Sequence, residues 1–392
     1  MPLRRARLHA AYAWQQSADP RLAAVRSWMD SRVRTGTAVV STAGPAASLG
    51  YAGVRHGVER ILQVLEQRRD LLGARTAARS QHHWDRAALL AGQRLPPADL
   101  IAVGCTPAQA ERLPRQAALV LPYRLHLVVD LPAEAGGWRQ RVSKKERNWF
   151  RTQLRSRGWA LEVATAGSDF DFFYDRMHVP TMRLRHGERT RSEARDSAYE
   201  CLFRGGLLAF VTLDGTRVAG ALCRRDRHGT SITLRLVGVR DGAPHYYDQG
   251  ALRMCYPLLL EWADGAAVRH VDLGGTEAFL GIGIVQWKRK FRPRAILAPN
   301  HLGRLRVWWH ARRDTAAVRD FLAANPVLEL AGERGLRAVY FHDDQRPPRL
   351  DLAGGFANVE ESRLVNLDEF LPAPSRQREW SVPVDVPHPV RR

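Results

Sequence analysis

Lysine is almost absent from this chain. Of its 60 basic residues only four are lysines, Lys144, Lys145, Lys288 and Lys290, and arginine carries the rest. Guanidinium is planar and always protonated, whereas ammonium is a compact point charge that can lose its proton when desolvated. The four lysines fall into two tight clusters, Ser143-Lys144-Lys145-Glu146-Arg147 and Trp287-Lys288-Arg289-Lys290-Phe291. That distribution marks both as places where the difference matters. Cysteine is scarce too. Cys105, Cys201, Cys223 and Cys255 form no Cys-x-x-Cys pair and no metal-ligand spacing, so no metal is expected and a reducing cytoplasm fits best. Long apolar runs are missing: stretches such as 119–122 and 256–260 fall far below the roughly 20 residues a membrane span needs. The basic start, Met1-Pro2-Leu3-Arg4-Arg5-Ala6-Arg7, is not followed by the apolar segment of a signal peptide. Repeats and low-complexity tracts are absent as well. The expectation is a soluble, cytoplasmic protein.

What is present sets wider bounds. The 392 residues exceed the roughly 250–300 that one hydrophobic core organises, so two domains or subdomains are expected. Hydrophobic residues at 45% and charged residues at 26% are ordinary globular values, whereas a formal charge of +20 is not. Such a field favours phosphate-bearing partners: nucleic acid, nucleotide-linked sugars, coenzymes or anionic membrane surfaces. The arginines are spread along the chain, which argues against a disordered basic arm.

Residues 1–97 read as mostly helical, with an apolar stripe through Val54, Val58, Ile61, Leu62, Val64, Leu65 and Leu71. A short strand at 38–41 interrupts them, and Pro96-Pro97 ends the pattern. Segments 100–104 and 117–121 look like buried strands. From Tyr123 the order becomes regular. A strand at 125–130 leads to a helix from about Gly137 or Ser143 to Arg157, closed by Gly158, then a strand at 159–164. A helix capped by Ser168 or Asp169 runs to Met177. The hairpin 207–213 and 218–224 turns at Asp214-Gly215. A strand at 230–239, a helix at 249–263 and a strand at 268–273 follow, and the last ends in Gly274-Gly275. This order predicts an α/β (α+β) fold with a mixed, mainly antiparallel sheet flanked by helices. Three regions are expected: a mostly helical N-terminal subdomain at 1–122, the ordered α/β region at 123–300, and a C-terminal extension at 301–392. The extension holds a helix at 316–323, a strand at 336–341 and a poorly ordered tail.

Residues 123–299 resemble a GNAT-type acyltransferase domain of the FemAB-like branch. The resemblance is carried by Asp130-Leu131, Ser143-Lys144-Lys145-Glu146-Arg147-Asn148, and Phe173-Tyr174 to Thr181-Met182-Arg183 with Gly187. It continues through 207–221, Val271-Asp272-Leu273-Gly274-Gly275 and Gln286-Trp287-Lys288-Arg289-Lys290-Phe291. The resemblance implies a GNAT-like acyltransferase, with 1–122 as a candidate degenerate first half of a tandem pair. It implies acetyl-CoA as the default donor and aminoacyl-tRNA as the second. The acceptor it implies is an amino or hydroxyl group on a sugar, peptide or cell-envelope or polysaccharide precursor. It also puts the Gly274-Gly275 strand end and the basic loop near the acyl-transfer centre.

The residues supply candidates for that chemistry. Lys288 or Lys290 is the candidate cation for the acyl donor or for the developing oxyanion, since a fixed positive charge at a strand end stabilises charge on a carbonyl oxygen. Proton removal from the acceptor needs a base; Asp272 is the first candidate and Glu277 the second. Tyr246 and Tyr247, with Gly274 and Gly275, are placed along the same cleft. Arg183 and Arg185 are candidate clamps for an anionic acceptor. Lys144 and Arg147, with Arg151 and Arg155, share one helix face, which reads either as a phosphate-facing surface or as a solvated one. Ordinary GNAT enzymes hold the coenzyme A pyrophosphate on a Gln/Arg-x-x-Gly-x-Gly/Ala loop at a helix start. Here Gln249, Gly250 and Ala251 stand in that stretch without the full spacing, and Asp248 opposes a pyrophosphate. A noncatalytic nucleic-acid-binding protein is the rival reading, although no helix-turn-helix, RNA-binding aromatic motif or zinc-finger spacing is present.

Overall fold

Among the described residues, sixteen strands form three sheets. A computed structural model describes residues 2–74, 78–132, 134, 136–186, 192–332 and 335–372. Gly187 and the expected poorly ordered tail beyond 372 lie outside the described residues. Strands β1 (Thr35–Ala43), β2 (Ala46–Gly53), β3 (Ala78–Asp85), β4 (Leu100–Cys105) and β5 (Ala118–Pro122) precede β6 (Leu125–Asp130) and β7 (Trp159–Ala164). Then come β8 (Leu207–Leu213), β9 (Thr216–Arg225), β10 (Ser231–Val239), β11 (His270–Thr276) and β12 (Arg294–Leu297). The last four are β13 (Arg306–Ala311), β14 (Val327–Ala331), β15 (Gly335–His342) and β16 (Ser362–Asn366). The helices that matter for the site are α1 (Pro2–Gln16), α2 (Pro20–Ser31), α3 (Gln63–Asp70), α4 (Lys144–Ser156), α5 (Gly167–Phe173), α6 (Val179–His186), α7 (Ala251–Gly265) and α8 (Gly283–Lys288).

The first sheet has the order β3-β1-β2-β4-β13-β5. Two expectations change here. Pro2–Gln16 and Pro20–Ser31 are helical, but five strands follow between Thr35 and Pro122. Val39, Leu49 and Tyr51 pack on one side of the sheet and Ala38, Val40 and Ala52 on the other. Strands covered on both faces read as runs of small apolar residues, without the alternation that separates strand from helix. The second concerns the segment expected as a C-terminal extension: its strand β13 lies between β4 and β5, antiparallel to both, within the first sheet. Its side chains alternate: Val307 and Trp309 enter one core while Trp308 enters the other.

The second sheet carries the site and has the order β12-β6-β11-β10-β9-β8-β7. It is mixed and mainly antiparallel, with helices on both faces. One face packs on α7, whose Met254, Cys255, Leu259 and Leu260 are fully buried. The other packs on α5 and the π-helical turn after it, through Phe170, Phe173 and Met177. β10 and β11 are parallel, and α7 is the crossover between them. They pair over only three residues, Ser231 with His270, Ile232 with Val271 and Thr233 with Asp272. Beyond that pair β10 stays with β9 through a bulge between Leu234 and Leu236, while β11 stays with β6 through a shift between Asp272 and Gly275. The sheet therefore opens between its two parallel strands. Gly158 does not form the expected left-handed cap: the chain is already extended at Arg157, and the Gly158 N–H donates to Asp214 Oδ1 at 3.2 Å. The third sheet is β14-β15-β16.

Candidate functional site

The opening between β10 and β11 leads into a cavity of about 790 Å³. Leu234, Leu236 and Val237 of β10 form one wall, and Leu273, Gly274 and Gly275 of β11 form the other. Gly274 has φ +88, and a side chain there would meet the Leu234 carbonyl at 3.1 Å and the Lys288 Nζ at 3.7 Å. Only glycine turns the strand there and admits the ammonium so closely. A Cβ on Gly275 would strike the Arg124 guanidinium at 2.6 Å. The double glycine is thus where two cations reach the strand.

α8 delivers the first of them. Ile284 and Lys288, four residues apart, face the cavity, while Trp287 and Phe291 face away into a second cavity. Lys288 is 5% exposed and makes no hydrogen bond or ion pair with any described residue. Burial pulls its ammonium down to about 8, with the Asp272 carboxylate opposing and Arg124 reinforcing the shift. A desolvated ammonium without a counter-ion in contact is costly to bury, and it interacts strongly with any negative charge brought beside it.

Asp272, also buried, is held from two sides. Its Oδ1 accepts the Gly274 N–H at 2.8 Å, and its Oδ2 accepts from His126 Nδ1 at 2.6 Å. Both oxygens accept a hydrogen bond, whereas a free carboxylate was expected from the sequence. The side-chain partner, His126 on β6, lines the cavity. With Nδ1 donating to the carboxylate, the neutral ring carries its lone pair on Nε2. That nitrogen bonds to no described residue. Sequence reasoning missed His126 because it sits inside an apolar strand; its register opposite Gly275 is the only signal that would have found it. Glu277 lines the cavity too, but it is ion-paired with Arg124.

The remaining candidates divide. Arg185 lines the cavity, with its guanidinium 5.9 Å from the Tyr247 ring centre. The Tyr247 hydroxyl donates to Thr181 Oγ1 at 3.2 Å, and that oxygen accepts the Val239 N–H at 2.8 Å. This chain fixes α6 to the end of β10 and sets Met182 and Arg185 on the rim. Arg183 is exposed and does not line the cavity. Tyr246 packs against the core beneath α7. Lys290 departs from the expectation: its Nζ donates to Glu146 at 2.9 Å and lies 4.7 Å from the Trp287 ring centre, on the far side of α8 from Lys288. Lys144 is exposed, and Arg147 lines the second cavity. Gln249, Gly250 and Ala251 do not line the cleft, and a Cβ on Gly250 would stand 3.0 Å from the Trp149 ring. Gly250 is therefore packed against protein.

The N-terminal helices cover the mouth. Asn300 Nδ2 donates to the Gln15 carbonyl at 3.2 Å, and Arg235 Nη1 donates to Gln16 Oε1 at 3.2 Å. The end of α1 is thereby tied across both sides of the opening. Arg26 of α2, His56 and His301 line the cavity behind it. Burial pulls the His301 imidazole down to about 3, reinforced by Arg26, His56 and Arg60. This end of the cavity is positive without a protonated His301.

No family model matches the chain, and no curated protein does. Among solved structures it is similar to L-PGS from Bacillus licheniformis, at 12% identity and TM-score 0.35 over 74% of this chain and 85% of that one. It is similar to FemX, at 10% identity and TM-score 0.33 over 73% and 90%. A tandem GNAT protein from the clavulanic acid biosynthesis pathway matches at 13% identity and TM-score 0.28 over 78% and 93%. Among the described residues no cluster of three or more histidines, cysteines or carboxylates could hold a metal, and no helix is long and apolar enough to cross a membrane.

Proposed function

We propose that this chain is an acyltransferase, moving an acyl group from a phosphate-bearing carrier to an amine or hydroxyl acceptor. The observation that carries the reading is Lys288, a buried ammonium with no contacting counter-ion, beside the Asp272–His126 pair at the opening between β10 and β11. The acceptor N–H or O–H gives its proton to His126 Nε2 while its lone pair attacks the donor carbonyl. The carbonyl π electrons move to oxygen, and the Lys288 ammonium stabilises that oxyanion. Collapse breaks the carbonyl–carrier bond, and the leaving thiolate or alkoxide takes the proton from the His126 imidazolium. Asp272 keeps the ring oriented and stabilises its charged form. Arg185 and Arg26, which line the cavity, supply positive charge for phosphates on the carrier or acceptor.

Acetyl-CoA and aminoacyl-tRNA both meet the requirement for such a carrier. The packing of Trp149 against Gly250 favours the second, because it removes the glycine face on which a coenzyme A pyrophosphate would rest. The acceptor class remains a sugar, peptide or cell-envelope precursor with an accessible amine or hydroxyl. The test is a paired assay on the wild-type chain: thiol release from acetyl-CoA, and loss of labelled amino acid from a mixed aminoacyl-tRNA pool, each with a panel of amine and hydroxyl acceptors. Turnover with either donor, abolished in Lys288→Ala, supports the reading. Turnover that Lys288→Ala leaves intact removes it.

A further inference from the structure

Lys288 is the one lysine of the two sequence clusters that reaches the cleft. Glu146, Arg147, Trp287 and Phe291 of those clusters line a cavity behind α8 instead. There the short helix Trp138–Arg141, α4, α7 and α8 enclose a second cavity of about 360 Å³. Its walls are aromatic: Trp138, Trp149, Phe150, Trp287 and Phe291. The size lies within the ~300–1,000 Å³ usual for small-molecule sites.

The charges around it do not balance. Two carboxylates border the cavity, and both are engaged. Glu146, 4% exposed, accepts from Arg253 at 2.6 and 2.9 Å and from Lys290 at 2.9 Å, and Glu261 is paired with Arg139. The other two basic residues at the rim have no carboxylate partner among the described residues. Arg147 donates only to the carbonyls of Arg139 and Gln140, at 3.2 and 3.3 Å. Arg151 is exposed and has no ion pair among the described residues. Lys144 and Arg155, one turn to either side on the same helix face, add to the excess.

We propose that this cavity binds a nucleotide, with the base against the tryptophan walls and its phosphate on Arg147 and Arg151. A hydrocarbon ligand suits the walls but leaves both guanidiniums unused, and a bare phosphate leaves the aromatic surface unused. A base joined to a phosphate uses both, because stacking is tolerant of base identity and guanidinium matches phosphate geometry. The two cavities share a partition. Tyr256 lines the cleft, and its ring meets Trp287 edge-on at 5.7 Å and stacks on Phe291 at 5.9 Å. This site lies outside the acyl-transfer cleft and does not depend on that reading. Its ligand can be a free nucleotide or the terminal nucleotide of a polynucleotide carrier.

The test is calorimetric titration of the full chain with ADP, coenzyme A and a single-stranded RNA trinucleotide ending in adenosine, with no acyl donor present. At least one probe is expected to bind with a Kd below about 1 mM. Arg151→Glu, at an exposed position, is expected to weaken that binding at least about tenfold while leaving Tm unchanged. Leu154→Glu, on the same rim, is a second variant that weakens it without touching a buried residue. Tighter binding of ADP or coenzyme A identifies a free nucleotide as the source, and tighter binding of RNA identifies a polynucleotide end. The proposal is overturned if none of the three binds, if decanoate binds and they do not, or if Arg151→Glu binds them as the wild type does. Because no transfer is measured, this failure is distinguishable from failure of the acyltransferase reading.

Discussion

Lys288 and Lys290 are two residues apart and live in opposite worlds. The first points from α8 into the cleft, is stripped of water and touches no carboxylate. The second points the other way, where Glu146 and the Trp287 ring hold it. In sequence they are interchangeable members of one basic segment. The difference comes from local geometry: Lys288 ends α8 and Lys290 lies in the 3-10 turn Arg289–Phe291 that follows, so residues two apart take different sides. An ammonium with a bonded carboxylate is a structural link, and one without is available to a ligand's negative charge.

Four experiments test that contrast. The largest effect is expected from Lys288→Ala, which should lower kcat by about 10²–10³-fold if the ammonium stabilises an oxyanion. Lys290→Ala should leave kcat unchanged and lower Tm instead. Equal losses of kcat in the two variants would dissolve the distinction. His126→Ala is next, with a loss of about 10²-fold in kcat for a missing base. Asp272→Asn should show a smaller loss and an altered pH–rate profile, since it changes orientation and tautomer; a loss larger than that of His126→Ala would return the role of base to Asp272.

The third experiment is Glu146→Ala, which leaves Arg253 and Lys290 without their acceptor and should cost about 3 kcal/mol in denaturant unfolding. Burial pushes the Glu146 carboxyl up, and the hydrogen bonds from Arg253 and Lys290 outweigh it, holding the carboxyl below its ordinary value. Its contribution is present above the unfolded carboxylate pKa and is lost as pH falls through the lower folded value. The wild type should therefore lose its advantage over Glu146→Ala in acid, below about pH 4. The smallest effect belongs to Lys288→Met. In the folded protein Lys288 titrates near 8, below its unfolded value of about 10.4. The unfolded chain holds more protons between those values, so wild-type stability rises with pH across that window. Lys288→Met should be the more stable protein at pH 7, with a gap that narrows above pH 8. A gap that stays flat to pH 10 means that the ammonium is not desolvated.

Much of the second sheet was legible in advance. Hairpin β8–β9, the crossover helix α7 and β11 with its double glycine fall where alternation, helical period and turn residues put them. The first sheet was legible only in part: the expected strands at 38–41, 100–104 and 117–121 fall in β1, β4 and β5, whereas β2 and β3 lie in the stretch read as mostly helical, β2 built largely of small residues and β3 polar and mostly exposed. β13 was invisible for a different reason: Arg306 to Ala311 pair with strands some two hundred residues earlier, and nothing local reports such pairing. Lys288, Glu277, Arg185, Gly274 and Gly275, singled out by residue type and context, all line the cavity. His126 was not singled out, since a histidine in an apolar strand most often is a satisfied core residue. Its partnership with Asp272 joins residues 146 positions apart. Lys290 was grouped with Lys288 because charge alone does not say which side of a short helix a side chain takes.

The position of β13 in the first sheet also dictates an order of assembly. β4 and β5 are not neighbours; the strand that joins them is made some two hundred residues after β4. As the nascent chain leaves the ribosome, both edges stand open while β6 to β12 are being added. The sheet bearing the cleft can close before the one that precedes it in sequence. Vectorial synthesis thus leaves the earliest strands exposed longest, and a chain stopped before residue 306 presents two unpaired strand edges to its neighbours.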